Sequence, residues 1–191
     1  MGLKRHGALS ATLAMTAVIA GAVPAHATVF NKDHFTFQDS VQEDLCGIAV
    51  RHDFAVSGHF RNRTGTGDLE QAFFGQSSIE LTESFTNLAT GPSFSIEARL
   101  TAMDIKATPL GDNVFEFKLR ESGTTVIRDT NRNVVLREAG AIWTLQVFDT
   151  LGDSTPGGAV LDETVLRVSG PHPLFQMDEA AFCDITHDLI G

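Results

Sequence analysis

The chain has 191 residues, with 14 Lys and Arg against 24 Asp and Glu, and only two cysteines. A net charge of −10 repels nucleic acid and anionic lipid and excludes both as general partners. Beyond the N-terminal segment no stretch has the 18 or more consecutive apolar residues of a membrane helix.

Lys4 and Arg5 open the chain, an apolar run follows from Ala8 to Ala20, and Ala25-His26-Ala27 has the small-x-small form of a cleavage site. This order of features predicts a secretory signal peptide over residues 1–27. Residues 28–191 are then a single exported domain, secreted to an extracellular location, with no membrane insertion after cleavage. Without Lys4 and Arg5 the remainder carries 12 basic and 24 acidic residues, which suits a soluble exported protein.

Phe35 and Phe37 alternate with Thr36 and Gln38, a first strand whose face Asp39 and Val41 continue. Cys46-Gly47 breaks the pattern. From Ile48 to Phe60 the even positions read Ile48, Val50, His52, Phe54, Val56, Gly58 and Phe60, while Arg51, Asp53, Ser57 and His59 fall on odd ones. Period-two alternation predicts a long half-buried strand. Gly65 and Gly67 mark a turn. A strand over about 69–86 carries Phe73, Ile79, Leu81 and Phe85 on one face, and Gly91-Pro92 closes a hairpin. Phe94, Ile96, Ala98 and Leu100 alternate on even positions, but Met103 and Ile105 are odd, so a bulge is expected near Ala102.

After Gly111-Asp112-Asn113, Phe115, Phe117 and Leu119 face inward. Two short strands, near 124–128 and 133–137, flank a turn. Trp143, Leu145 and Val147 mark another strand. Residues 152–158 form a Gly-, Asp- and Pro-rich loop, and Val160 to Val168 reads as the last strand. Only the end is helical: Phe182, Ile185 and Leu189 share a face, with Asp178 and Glu179 at the N-terminus. Eight or nine strands joined by short turns predict an all-β antiparallel barrel with one C-terminal helix, and a β-sandwich is the alternative.

Two cysteines in an exported chain predict a Cys46–Cys183 disulfide, which ties the main strand to the terminal helix. A catalytic thiol would need a Cys-His motif, and none is evident.

His52, Glu83 and Asp149 interrupt apolar faces. An inward polar group must be hydrogen-bonded or face a wet cavity. If the three converge, a His with a carboxylate has the makings of acid–base catalysis; if not, each is a strand-end or core hydrogen-bonding residue. His59 lies an odd number of residues from His52 and faces the other way. His34, His172 and His187 lack metal-ligand spacing, so no metal or cofactor is expected. Asp129 to Asn133 imitates a calcium loop, but Val134 stands where that loop needs Gly and Gly140 where it needs Glu. A Gly-x-Ser-x-Gly elbow is absent.

Phe35 to Gly47, Asn87 to Ser93, the 149–158 loop and the terminal Phe182-Cys183 resemble a group of small exported bacterial proteins of unknown function. The resemblance implies an exported β-fold with one bridge and carries over no catalytic residue. A looser architectural likeness to lipocalins rests on length, barrel pattern and a C-terminal disulfide, although the lipocalin Gly-x-Trp near the first strand is missing. These features point to an exported barrel binding a small apolar ligand or a surface partner. The alternatives are a cofactor-free isomerase or hydrolase using His52 with Glu83 or Asp149, and a structural module of the cell surface.

Overall fold

The computed structural model describes residues 31–153 and 157–191. The expected signal peptide lies outside them. Seven strands form one antiparallel sheet in simple sequence order: β1 (Asn31–Leu45), β2 (Ile48–Thr64), β3 (Phe73–Asn87), β4 (Ser93–Gly111), β5 (Val114–Arg128), β6 (Val134–Asp149) and β7 (Ala159–Ser169). Two helices follow, α1 (Pro173–Gln176) and α2 (Glu179–Ile190).

The all-β class and the C-terminal helix are as the sequence predicts. The strand number is lower, because the segments at 124–128 and 133–137 are the ends of β5 and β6, which pair with each other beyond the expected breaks. The bulge falls at Ile105, not near Ala102: Asp104 pairs with Leu119 and Lys106 with Lys118, leaving Ile105 unopposed. Met103 belongs to the regular part of β4 and simply faces outward.

The sheet is not closed. Among the described residues β1 and β7 are unpaired edges, so the expected barrel is an open sheet, and a second sheet of a sandwich is not formed. Both edges carry inward carboxylates, Asp39 and Glu43 on β1 and Glu163 on β7, and inward charge is a device that blocks edge pairing. The sheet nonetheless curls strongly. A hollow of about 170 Å³ is lined by residues of β2 through β6, from Asn62 to Gln146 and Phe148. Curling is helped by Gly123, which pairs with Gly140 on the inner face; a Cβ on Gly123 would lie 2.1 Å from the Arg99 carbonyl oxygen.

Two apolar clusters hold the curl. Val50, Phe85, Phe94 and Ile127 pack with Ile190 at one end of the sheet. Phe74, Ala107, Phe115 and Phe117 pack at the other. Helix α2 covers the first cluster. Asp178 caps it, its carboxylate accepting from the Ala181 N–H at 2.8 Å. Cys46 and Cys183 are bonded, and the buried Asn87 side chain donates to the Ile190 carbonyl at 2.6 Å. Cys46 and Gly47 make the two-residue turn between β1 and β2 with φ of 57° and 83°. The Asp44 carboxylate accepts from the Gly47 N–H. That turn fixes the β1–β2 register, and with it the neighbours of His52.

Candidate functional site

His52 sits in the inner phase of β2, between Val50 and Phe54, directly opposite Val41 of β1 and Phe85 of β3. In an antiparallel sheet the diagonal neighbours on the same face are two residues along each partner strand. On β1 that residue is Glu43, and on β3 it is Glu83. The imidazole therefore lies between two carboxylates, Nδ1 at 2.8 Å from Glu43 Oε1 and Nε2 at 3.3 Å from Glu83 Oε1. The Glu83 contact is off the line needed for a hydrogen bond, and Nε2 is buried without another partner among the described residues. The ring stacks on Phe85 with centroids 4.2 Å apart and an interplanar angle of 20°. Burial pushes the Glu83 carboxyl up; the nearby imidazole opposes that shift, and Glu43 adds to it.

Of the sequence-predicted trio, the structure brings His52 and Glu83 together and keeps Asp149 apart. Asp149 pairs with Val114 and Ala159 in the outer phase of β6, and its carboxylate accepts from the Leu151 N–H in the following turn. Trp143, Leu145 and Val147 are apolar and so suggest the inner face, but the inner residues of β6 are Ile142, Thr144, Gln146 and Phe148. Glu43 was the residue sequence reasoning missed. Its odd position continues the phase of Phe37 and Val41, which is the signal that finds it.

Beyond this group, along the same inner face of the sheet, apolar side chains are incompletely covered. Phe37 is 46 % exposed, Val41 39 % and Leu100 42 %. The register also sorts the charges. Glu43, Glu83, Asp104, Glu121, Glu138 and Glu163 all fall in the inner phase, and no Lys or Arg of a described strand does. Burial raises the Glu121 carboxyl, with Glu163 beside it acting in the same direction. Asp104 lies where β3 and β4 diverge and accepts from the Gly75 N–H at 2.6 Å; its burial raises its pKa from 3.8 to about 6.

A second buried pair is structural. His172 bonds the Ser169 carbonyl at 3.0 Å and lies 3.4 Å from Glu138, whose other oxygen accepts from the Phe175 N–H. This joins β6 to the segment that leads into α2. Among the described residues no group of three or more His, Cys, Asp or Glu side chains is arranged to hold a metal ion. No helix among them is long and apolar enough to cross a membrane. Comparison of the chain with protein-family models, curated proteins and solved structures finds no match.

Proposed function

We propose that the protein is an exported binding module whose curled inner face holds a small, largely apolar ligand carrying a basic group. The observation that carries this reading is the pairing of uncovered apolar side chains, Phe37, Val41 and Leu100, with an inner face whose strand charges are carboxylates. Apolar walls with a few oriented polar groups are the ordinary chemistry of small-molecule sites. Glu43 and Glu83, steadied by His52, are the groups that would meet the ligand's positive charge. The disulfide fits an oxidising compartment outside the cytoplasm.

Titration calorimetry with dodecylamine and with dodecanoate, equal in chain and opposite in charge, tests the proposal. Saturable binding of the amine and not of the acid is expected, weakened about fivefold or more by Glu83→Gln. Equal binding of the two would remove the charge argument, and no binding of either would remove the ligand reading. His52 supports a second reading, acid–base catalysis, because its Nε2 is buried without a hydrogen-bond partner among the described residues. Under that reading His52→Gln abolishes turnover of a bound ligand without abolishing its binding.

A further inference from the structure

The outer face of the sheet carries a feature that the inner site does not use. One transverse row can be followed across all seven strands. Lys32 of β1 pairs with Arg61 of β2, which pairs with Gln76 of β3, which pairs with Met103 of β4. Met103 pairs with Arg120 of β5, Arg120 with Trp143 of β6, and Trp143 with Arg167 of β7. The adjacent row adds Arg63, Lys106 and Lys118. These seven side chains are half of the chain's 14 Lys and Arg residues, all are exposed, and neither row contains an outward Asp or Glu.

The belt is also electrostatically unspent. Four cations outside the belt are paired, Arg51 with Asp53, Arg99 with Glu80, and Arg128 and Arg132 with Glu97, whereas Arg137 on the outer face of β6 has no ion pair among the described residues and is not part of a row of cations. Among the described residues no belt cation is in an ion pair. Arg61 donates to the Gln76 amide, and Arg63 lies over the Phe74 ring at 4.6 Å. Arg120 and Arg167 stack on Trp143 at 5.5 and 4.9 Å, which orients both guanidinium groups and leaves their N–H donors unclaimed by carboxylate. The one carboxylate lining the hollow beside Arg61 and Arg63 is Asp104, already bonded to Gly75.

The belt's shape selects its occupant. It runs about 29 Å across seven strands, at about 4.8 Å per strand, and two rows are only about 7 Å apart. Glu116 and Asp162 border it on one side. On the other lies a row with Ser78, Thr101, Ser122 and Ser169, and Glu80 stands beyond it. A strip this narrow, on the convex side of a curled sheet, fits one flexible polymer chain; a duplex or a bilayer would press on the flanking carboxylates. Single-stranded nucleic acid needs open aromatic platforms for its bases, and Trp143 has an arginine stacked on it from each neighbouring strand. A carboxylated sugar chain needs only spaced cations and hydroxyl partners, which the belt and the Ser/Thr row supply.

We infer that the outer belt of Lys32, Arg61, Lys118, Arg120 and Arg167 is a binding surface for a linear acidic polysaccharide. The probe is polygalacturonate, titrated against the full-length, disulfide-bonded protein at low and at near-physiological salt. Lys32→Gln/Lys106→Gln/Lys118→Gln removes three belt charges without touching the Trp143 stack. It is expected to weaken binding about tenfold or more and to flatten the salt dependence. Arg51→Gln/Arg99→Gln/Arg132→Gln removes the same charge outside the belt and is expected to stay within about twofold of the unmodified protein. Three results would overturn the inference: no binding of polygalacturonate by the unmodified protein, equal losses in the two triple variants, or tighter binding of oligothymidylate or phosphatidylserine vesicles than of polygalacturonate.

Discussion

His52 Nε2 and Glu83 Oε1 stand 3.3 Å apart on neighbouring strands because Phe85, two residues beyond Glu83, is the residue that pairs with His52. The contact follows from register alone, and the same register places Glu43 on the other side of the ring. Removing the imidazole leaves two inward carboxylates facing each other across an apolar side chain. His52→Leu should therefore destabilise the fold by about 1–3 kcal/mol near neutral pH, while His52→Gln, which keeps a donor, should cost less. Urea denaturation of the two variants measures the difference. Equal midpoints would show that the contacts to Glu43 and Glu83 carry no stability.

The Cys46–Cys183 bridge closes a loop with a sequence separation of 137 residues. Constraint of so long a loop in the unfolded chain is worth about 5 kcal/mol on the entropy model. Replacing both cysteines with serine should lower stability by a few kcal/mol and loosen α2 first, since the helix would then be held only by the Asn87–Ile190 hydrogen bond and the packing of Phe182, Leu189 and Ile190. Thiol titration of the unreduced, unfolded protein should find no free thiol. Hydrogen exchange of the double variant should be faster in α2 than in β3.

Alternation made the strands and the inward face of β2 legible in the sequence, and the presence of just two cysteines in a chain read as exported made the bridge legible. Register was not. That Val41, and not Phe37, pairs with His52 depends on Cys46-Gly47 being a tight two-residue turn, and alternation alone marks those residues only as a break, so Glu43 was not placed beside the ring. Strand β6 misled because both of its faces are partly apolar: Trp143, Leu145 and Val147 outside, Ile142 and Phe148 inside. A period-two pattern cannot choose between two apolar phases, and Asp149 was carried to the wrong side with Trp143. Closure was equally hidden, since it depends on what β1 and β7 present to each other across the sheet.

Gly123 offers a direct test of how the sheet curls. Its inner side faces backbone, with the Arg99 carbonyl oxygen 2.1 Å and the Leu100 Cα 3.0 Å from where a Cβ would stand. Backbone cannot rotate aside as a side chain can. Gly123→Ala should force β4 and β5 apart at this point and cost about 1–3 kcal/mol, the usual range for overpacking. Gly47→Ala makes the comparison useful, because that site has open space and is strained only by its φ of 83°. If thermal unfolding shows Gly123→Ala to be as stable as the unmodified protein, the close approach is not what bends the sheet.

Asp104 gives the fold its clearest pH signature. Burial between β3 and β4 disfavours its charged form and raises its pKa from 3.8 to about 6, although the Gly75 N–H pulls it the other way. The folded state then holds a proton that the unfolded state has released, over the window from about pH 4 to about pH 6. Stability contributed by this group is present below that window and is lost as pH rises through it. Asp104→Asn keeps an oxygen to accept from Gly75 and removes the buried charge. At pH 8 the variant should be more stable than the unmodified protein by up to about 3 kcal/mol, at about 1.4 kcal/mol for each unit of displacement. At pH 4, where Asp104 is neutral in the fold, most of that advantage should vanish. Chemical denaturation of both proteins at the two pH values measures it. An advantage that stays constant with pH would mean that the carboxylate ionises as freely in the fold as in water.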